Sequence, residues 1–549
     1  MKHALFQIAA SILFSSAAVA QSPKLSRELD GKDLSAVVNV IVQFKQMPGT
    51  AQHQRIVDRG GRLISELRSI KGAAYTISAA QLQDLASDPD VYYVSEDRKV
   101  GGFLDNSAAA VNAPAAWKSG WTGTGIGVAV IDSGISPHAD LTTGAASRIV
   151  FRQSFVSGGD SDYYGHGEHV SGIIAGNGSK SICDICTRNF IGIAPKANLL
   201  DLRILDQNGQ GQDSGVIAAI DLAIELKSIY KIRVINLSAG RPVFESYKLD
   251  PLCQAVEAAW KAGIVVVVAA GNDGRDNSAG NNGYGTITAP GNDPYVITVG
   301  AMKTMGTPQR TDDLIASYSS KGPTQVDHIV KPDLVAPGNL VVSLLASTGS
   351  LQRLFPQNAV PIDYYESTSE KTPSTQYFVL SGTSMATPVV SGAVALLLQA
   401  HPTLTPDQVK ARLMRTAQKT FPKTSSVYDP TTGQTFTSEY DVFTIGAGYL
   451  DIEAALADKT AFSGTALSPV ATFTPPSALV VCTSASVCAN PILWAVQTVW
   501  GNQSIWGNQS IWGNQSIWGN QSVWGNQSIW GNTVKDATES TTIAINGEN

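Results

Sequence analysis

The sequence predicts an α/β fold with a doubly wound, mostly parallel sheet sandwiched by helices, preceded by a smaller α+β domain. The first observation is a series of four nearly continuous hydrophobic runs after residue 126, which are typical of strands in a sheet covered on both faces. The second is that helical stretches accompany these runs, as a doubly wound fold requires. The runs are Gly127–Asp132, Leu199–Leu205, Val234–Leu237 and Ile264–Ala270, and the helices are Ser214–Tyr230, Leu252–Lys261 and Val389–Gln399.

The chain begins with a segment that has the features of a secretory signal. Met1–Ala20 contains Lys2 and an apolar run, and it ends in an A-V-A tripeptide, which is an A-x-A cleavage pattern. An uncleaved membrane anchor is the alternative, but the apolar run is short for a membrane span. No later segment is predicted to be long and apolar enough to cross a bilayer. We therefore expect a secreted protein, extracellular, periplasmic or at the cell surface, with no transmembrane segment.

Residues 21–104 are predicted to form a small separate domain. Apolar segments give five elements in the order β-α-β-α-β, which predicts a small α+β sandwich of the ferredoxin-like kind. The elements are Val37–Gln43, Ala51–Leu67, Ala74–Ile77, Ser78–Ser87 and Val91–Val94. The glycine pair at 101–102 and the small residues Ser107–Ala110 predict an exposed, cleavable linker after this domain.

Length, composition and charge limit the classes of function. The 549 residues suffice for two or three domains and a large core. A hydrophobic content of 43%, with 50 Gly and 26 Pro, indicates a globular, loop-rich protein rather than a disordered one. The net charge of −6 is mild over this length, so we expect no nucleic-acid partner. We also expect a monomer.

The five cysteines suggest local cross-links rather than a disulfide scaffold. In an oxidising compartment, Cys183 with Cys186 and Cys482 with Cys488 are each spaced to close a small loop, although pairing does not follow from sequence alone. Cys253 lies on a helical stretch, where a buried free thiol is expected.

The stretch Ser381–Pro388, S-G-T-S-M-A-T-P, contains the candidate nucleophile. Gly382 permits a tight turn, and the apolar run Val389–Ala400 that follows suits a helix buried on all sides. A serine at the start of such a helix lies beside free backbone N–H groups and the positive end of the helix dipole, where an oxyanion is stabilised. Ser384 is therefore the candidate. The alternative is an ordinary helix cap.

Two further residues complete a pattern for nucleophilic catalysis. Asp132 ends the first buried strand, and His166 opens another helix rich in small residues within G-H-G-E-H-V-S-G. The chain order Asp, His, Ser separates this pattern from the two other triad orders, and Ala386 excludes a G-x-S-x-G elbow at this serine. Each residue also has an ordinary structural interpretation: a strand-end acid, a surface histidine and a capping serine.

These segments resemble the subtilisin-like serine proteases, the subtilases of peptidase family S8. The matching motifs occur in the family's order across about 330 residues. They are V-I-D-S-G-I at 130–135, G-H-G-x-H-V at 165–170, G-I-A-P at 192–195, A-A-G-N at 269–272, K-P-D-L-V-A-P-G at 331–338 and G-T-S-M-A-T-P at 382–388. The resemblance implies a subtilisin-like catalytic domain, which we place at 105–460, and an inhibitory and chaperoning propeptide at 21–104.

The resemblance also implies the role of each candidate. His166 is the general base and then the acid, Asp132 orients and stabilises its ring, and Ser384 is the nucleophile. Asn272 is the side-chain donor to the oxyanion, beside the backbone N–H of Ser384. The implied protein is a secreted serine endopeptidase that removes its own propeptide by autoproteolysis.

Substrate contacts follow from the same resemblance. Ser238, Ala239 and Gly240 match the edge segment that pairs with extended substrate backbone, which implies protein or peptide substrates and little sequence preference. Thr288 matches the floor of the pocket for the residue before the cut, where we expect a medium or large apolar side chain. No cofactor is expected for the chemistry, no metal ligand is assigned, and structural calcium is left open.

Glu168 departs from the family pattern, which commonly has Thr at this position. A carboxylate near His166 favours the imidazolium and moves the activity optimum to higher pH. The alternative is that Glu168 points into solvent.

Two longer segments also depart from the pattern. The loop Asn177–Phe190 has a C-x-x-C where many members have a calcium loop, so a local disulfide is expected and a family calcium site becomes doubtful. A zinc set with His166 and His169 is the weaker alternative, because a metal would occupy the lone pair of the base. Asn339–Val379 is expected to be a surface insertion near the site.

The C-terminal extension, 461–549, contains a six-residue repeat, W-G-N-Q-S-I, over about 500–532. Its even period places all Trp and Asn on one face of an extended chain. Stacked β-solenoid rungs and a flexible or aggregation-prone tail are both open.

Two other functions compete with the endopeptidase. One is a surface-attachment or binding protein whose protease domain mainly processes itself, and turnover of an added protein substrate separates it. The other is a zinc hydrolase, which serine-directed covalent inhibitors would not affect.

Overall fold

The computed structural model describes residues 24–26, 29, 33–67, 70–96, 103–278, 280–429, 432–474, 477–481 and 543–548. The chain divides into two compact units, residues 1–100 and 101–549. The predicted signal at 1–20, the hexapeptide repeats, Cys482 and Cys488 lie outside the described residues.

The first unit has the element order β-α-β-β-α-β. Its antiparallel sheet has the strand order β2-β3-β1-β4, which is the ferredoxin-like topology. Buried residues alternate along the first strand and pack with the two helices as a separate core. The elements are β1 Val37–Phe44, α1 Thr50–Asp58, β2 Arg62–Leu67, β3 Gly72–Ser78, α2 Leu82–Ser87 and β4 Val91–Glu96.

The prediction of one helix over Ala51–Leu67 is wrong. Helix α1 ends at Asp58, and the glycine pair that follows turns the chain into the edge strand β2. Strand β2 is almost wholly exposed, so it has no alternation of buried side chains that would have indicated a strand.

The second unit is built on an eight-stranded sheet, and the predicted doubly wound, mostly parallel fold is confirmed. The strand order is β13-β12-β11-β10-β5-β9-β8, with β14 also paired to β12, and only β13 is antiparallel. Its eight strands are β5 Gly127–Asp132, β8 Ile149–Ser154, β9 Asn198–Arg203, β10 Ile232–Leu237, β11 Val265–Ala269, β12 Ile297–Lys303, β13 Leu314–Ile315 and β14 Leu334–Pro337. Strands β6 Thr142–Thr143 and β7 Ala146–Ser147 pair with each other in a separate two-stranded sheet.

Helices pack against this sheet, and the second unit also contains smaller sheets. The helices are α3 Phe103–Ala110, α4 Ala113–Lys118, α5 His166–Ala175, α6 Asp213–Glu225, α7 Lys227–Tyr230, α8 Pro251–Lys261, α9 Ser350–Leu354, α10 Thr383–Ala400, α11 Pro406–Thr416, α12 Val442–Ile445 and α13 Ile452–Ala457. The remaining strands are β15 Val341–Leu344, β16 Ala359–Pro361, β17 Pro373–Leu380, β18 Thr424–Asp429, β19 Gln434–Glu439, β20 Val470–Thr474 and β21 Ser477–Val481.

Helix α10 is the central helix of the second unit. All of its residues except Ser384 and the last two are buried, and it packs on β10, β11, β12 and α5. It is also the one described helix that is long and apolar enough to span a membrane, contrary to the sequence prediction. Its burial inside the unit explains that composition, as in the core helix of a globular protein.

The expectation that Asn339–Val379 is a surface insertion is wrong for much of its length. Strands β15, β17 and β16 form a sheet in that order, and β15 packs against helix α5. Val341, Val342, Tyr377 and Phe378 belong to the main hydrophobic core. The segment therefore helps to support the helix that begins with His166.

The second unit continues past residue 460. Ser468 is buried and its hydroxyl contacts the buried ions Asp333, at 2.5 Å, and Lys410, at 2.8 Å. The N–H of Ser468 donates to the carbonyl of Pro294 at 2.9 Å, and the N–H of Ala471 donates to the carbonyl of His328 at 2.7 Å. Residues 466–471, which lie in the predicted C-terminal extension, thus close over a buried ion cluster.

We expect Ser468→Ala to lower the free energy of unfolding by about 1–3 kcal/mol, because it removes a hydroxyl that satisfies buried charged groups. Thermal unfolding of the full chain measures this. The exposed Ser463 gives a matched control, since Ser463→Ala removes the same hydroxyl a few residues away without touching the cluster. Equal melting temperatures for the two variants would contradict a structural role of Ser468.

Candidate active site

The fold places the three candidate residues at neighbouring element ends. Asp132 is the last residue of β5, His166 is the first residue of α5 and Ser384 is the second residue of α10. Strands β5 and β10 are adjacent and parallel, and the chain winds in opposite directions from this point of the sheet. The carboxyl ends of strands at such a switch point are where open α/β sheets bind ligands.

Asp132 and His166 form a direct pair. Oδ1 of Asp132 lies 2.7 Å from Nδ1 of His166 and also accepts a hydrogen bond of 2.8 Å from the N–H of Ser133. The aspartate side chain is fully buried, and the imidazole is 14% exposed. Burial alone would lower the pKa of His166, but the charge and the hydrogen bond of Asp132 outweigh it and raise that pKa above its ordinary value. The contact fixes the ring so that Nε2 is the free nitrogen.

Asp162 is a supporting residue that the sequence analysis missed. It is buried, and its carboxylate accepts hydrogen bonds from Ser133 Oγ at 2.9 Å, Gly165 N at 2.7 Å and Glu168 N at 2.8 Å. It therefore fixes the start of helix α5, where His166 lies. The available signal was an acidic residue shortly before a helix start, which is a capping pattern.

Ser384 has an unusual link to Ser238. Pro388 has no N–H, so it cannot donate the helical hydrogen bond to the carbonyl of Ser384 four residues earlier. Ser238 Oγ donates to that carbonyl instead, at 3.0 Å, and Ser384 Oγ in turn donates to the carbonyl of Ser238, also at 3.0 Å. Among the described residues, Ser384 Oγ makes no hydrogen bond to His166. Such contacts are often loose without substrate and tighten when it binds.

Asn272 lies beside the start of helix α10. Its Oδ1 accepts hydrogen bonds from the N–H of Thr383, at 2.9 Å, and from the hydroxyl of Thr383, at 3.1 Å. These bonds fix the amide so that Nδ2 is left without a hydrogen-bond partner within the described part of the chain. Gly382 has φ +141°, and a Cβ on it would stand 3.2 Å from Nδ2. A donor N–H thus lies next to Ser384 in a space that only glycine leaves open.

The predicted substrate-binding residues lie together. Ser238 is buried, Ala239 is half-buried and Gly240 is exposed, directly after strand β10. A Cβ on Gly240 would come within 2.8 Å of the hydroxyl of Thr288, so the two chain segments touch. Next to them, the backbone groups of residues 241 and 289 exchange hydrogen bonds of 3.0 and 2.7 Å.

The structure contradicts the solvent-facing alternative for Glu168. Its side chain is fully buried, with Oε2 accepting a hydrogen bond from the N–H of Ser136 and Oε1 left without a partner. Burial raises the pKa of Glu168 well above its ordinary value, which favours the neutral acid. A neutral acid exerts no charge on His166, so the proposed shift of the activity optimum loses its basis.

The C-x-x-C loop carries a disulfide, as expected. Cys183 and Cys186 are bonded, and Cys253 is the buried free thiol that was predicted. His169 is buried, with Nε2 3.0 Å from the carbonyl of Val341, and burial lowers the pKa of His169 to about 3. Within the described residues, the only group of three possible metal ligands contains the two bonded cysteines and does not include His166. These findings oppose the zinc alternative.

A carboxylate beside the same loop, that of Asp140, is not free to bind calcium. Its Oδ1 already accepts hydrogen bonds from Ser179 Oγ, at 2.9 Å, and Lys180 N, at 2.8 Å. Oδ2 accepts a hydrogen bond of 2.8 Å from the hydroxyl of Tyr377. Protein donors therefore already contact both carboxylate oxygens of Asp140, which makes this residue a poor calcium ligand.

The fold and these side chains together define a class of protein. A parallel α/β sheet with an Asp–His pair at its switch point and a serine at the start of a buried helix is the arrangement of a serine hydrolase. The model of the Subtilase family matches residues 123–438. The chain therefore belongs to the subtilase family and is a serine-type endopeptidase.

Named proteases match most of the chain. Serine protease AprX of Bacillus subtilis strain 168 is 33% identical over 409 residues, which are 71% of this chain and 85% of the relative. Subtilisin E of the same organism is 34% identical over 403 residues, which are 72% of this chain and 88% of the relative. Alkaline protease of Shouchella clausii is 32% identical over 361 residues, which are 65% of this chain and 76% of the relative. Catalysis in this family needs no cofactor.

The buried Glu168 gives a prediction about stability and pH. Because folding raises its pKa, this acid contributes stability that is fully present below the unfolded pKa of about 4.3 and is lost as pH rises through the folded pKa, by up to about 1.4 kcal/mol per pH unit. Glu168→Gln keeps an acceptor for Ser136 and cannot ionise. In a Ser384→Ala background, we expect the melting temperature of the Glu168→Gln variant to rise relative to that of its Glu168 parent as the pH increases from 5 to 9.

A matched control is Glu245→Gln, which makes the same substitution at an exposed glutamate. Parallel pH dependence for both variants would show that Glu168 does not titrate as its burial implies.

Proposed function

We propose that the chain is a secreted serine endopeptidase that acts through Ser384, His166 and Asp132. The observation that carries this proposal is the 2.7 Å contact between Asp132 and His166, at the sheet switch point beside which helix α10 begins. Membership of the subtilase family supports the same roles, since these residues occupy the motifs that the family uses.

The reaction is acyl transfer to serine. His166 Nε2 takes the hydroxyl proton as Ser384 Oγ bonds to the carbonyl carbon of the scissile peptide, and the imidazolium then gives that proton to the leaving amine as the C–N bond breaks. A water molecule then attacks the acyl carbon and gives its proton to His166. As the bond from the acyl carbon to Ser384 Oγ breaks, His166 returns a proton to that oxygen and the carboxylic acid product is released. Before attack, the hydroxyl must exchange its bond to the carbonyl of Ser238 for one to His166, and we assign this turn to substrate binding.

Asn272 Nδ2 and the N–H of Ser384 are the proposed oxyanion donors. The amide is already held in orientation by Thr383, so it loses little freedom when the tetrahedral intermediate forms. Extended protein or peptide substrates pair with Ser238–Gly240, and Thr288 lines the pocket for the residue before the cut.

The N-terminal segments have proposed roles in export and activation. Met1–Ala20 has the signal pattern, and residues 21–104 are proposed as an inhibitory propeptide that the enzyme removes itself. The ferredoxin-like topology and the separate core of this unit support a domain that is cleaved off as a whole. We propose that the mature catalytic domain acts as a monomer, with no calcium bound at the C-x-x-C loop.

The first test compares the full chain with its Ser384→Ala variant. We expect the parent to lose roughly 80 residues after the signal, to hydrolyse casein and to be blocked by serine-directed covalent inhibitors, because all three need the nucleophile. The variant should stay intact and inert. Casein hydrolysis by the variant would overturn the assignment of Ser384, and a mature parent that does not cleave casein would favour the surface-attachment function.

The second test removes the oxyanion donor. We expect Asn272→Ala to lower kcat by about 10²–10³-fold with a small change in KM, which is the range known for the equivalent donor of subtilisin. The exposed Asn208 provides the control substitution, Asn208→Ala, which should leave kcat unchanged. A loss confined to KM would assign Asn272 to substrate binding.

A further inference from the structure

A short segment near the end of the sequence is docked into the second unit. Residues 543–546 form one helical turn, and residues 547–548 follow it. Ile543 and Ile545 are 3% and 4% exposed and belong to the main hydrophobic core. Asn546 points to solvent. We call residues 543–548 the docked segment, and the surface that receives it the docking groove.

Polar contacts fix the backbone of the docked segment. The N–H of Ser381 donates to the carbonyl of Ala544 at 2.9 Å, and Asn358 Nδ2 donates to the carbonyl of Ile545 at 2.6 Å. The side chain of Asn339 pairs with the backbone of Glu548 in both directions, at 2.6 and 2.8 Å. Backbone pairing of this kind holds a peptide in one register.

The carboxylate of Glu548 is buried among donors. Oε2 accepts hydrogen bonds from the N–H and the hydroxyl of Ser317, at 2.8 and 2.7 Å, and lies 3.2 Å from Arg275 Nη2. Lys303 Nζ lies 3.0 Å from Oε1. A buried carboxylate is stable only with such charge and hydrogen-bond partners, so the groove is selective for an acid at this position.

Gly547 adds a steric requirement. It has φ +61°, and a Cβ on it would stand 2.5 Å from both Leu340 Cδ2 and Ser381 Oγ. The groove therefore accepts two isoleucines, then a glycine, then a glutamate. The isoleucines are recognised by apolar burial, the glycine by close steric contact and the glutamate by charge.

The docking groove is distinct from the triad but adjoins it in the chain. Ser381 lies three residues before Ser384, and Arg275 lies three residues after Asn272. The hydroxyl of Ser381 also accepts a hydrogen bond of 2.8 Å from the N–H of Leu340, which ties the groove together beneath the docked segment.

We propose that the docking groove is a peptide-binding site whose ligand is the enzyme's own segment 543–548. The hydrogen bonds, ion pairs and close steric contacts described above run to residues between 275 and 381, so they do not depend on the covalent link through residues 482–542. The groove retains the docked segment when the chain is cut within that link, as a peptide of the type Ile-x-Ile-x-Gly-Glu.

The test uses the full chain in a Ser384→Ala background, with a cleavage site for an unrelated specific protease inserted after Asn532. After complete cleavage, gel filtration followed by mass spectrometry shows whether the C-terminal fragment stays with the enzyme. We expect retention at one fragment per enzyme. Gly547→Ala and Glu548→Lys should each speed fragment loss about tenfold or more, whereas the control Asn546→Ala should not.

These substitutions lie in the fragment that dissociates and leave every residue of the docking groove unchanged. Immediate loss of the unsubstituted fragment overturns the proposal. Equal retention of the Glu548→Lys and Asn546→Ala fragments also overturns it, because the groove would then not recognise the acid. Retention only in a dimer would assign the ligand to a second copy and overturn docking within one chain.

Discussion

Burial of helix α10 is the constraint on which the site depends. A helix that starts inside a domain cannot leave its terminal polar groups to water, so other parts of the chain must satisfy them. Asn272 accepts the N–H of Thr383, and Ser238 donates to the Ser384 carbonyl that Pro388 leaves free. The residues that stabilise the buried helix end are therefore the residues that surround the candidate nucleophile. Stability and chemistry use the same hydrogen bonds.

The Asp132–His166 pair depends on a similar arrangement at helix α5. Asp162 holds the first N–H groups of that helix, and Ser133 connects Asp162 with the strand end that carries Asp132. The position and the tautomer of the His166 imidazole follow from this network rather than from Asp132 and His166 alone. Strand β15, which lies in the segment predicted to be a surface insertion, packs against the same helix.

Much of the fold was predictable because buried parallel strands have continuous apolar sequences. Strand β5 has its predicted bounds, and the helix predicted over Val389–Gln399 is present but begins earlier, at Thr383, so that it includes Ser384. The missed features lack a local signal. Strand β2 is exposed and has no buried face, and Glu168 is buried because helix α5 is enclosed from Gly167 to Ala175, which a charged residue in its first turn does not indicate. The sequence motifs predict the candidate site residues but not the link from Ser384 to Ser238, since that bond joins residues 146 positions apart.

Recognition of the docked segment depends on contacts with residues that are distant in the sequence. A hexapeptide with two isoleucines, a glycine and one acid has no unusual composition, and only the groove makes those residues specific. Glu548 reaches Arg275, near Asn272, while the backbone of Ala544 reaches Ser381, near Ser384. The docked segment thus connects the two chain segments that carry the proposed oxyanion donor and nucleophile. Because residues 543–548 share the main hydrophobic core and bind both of these chain segments, they are part of the structure of the second unit.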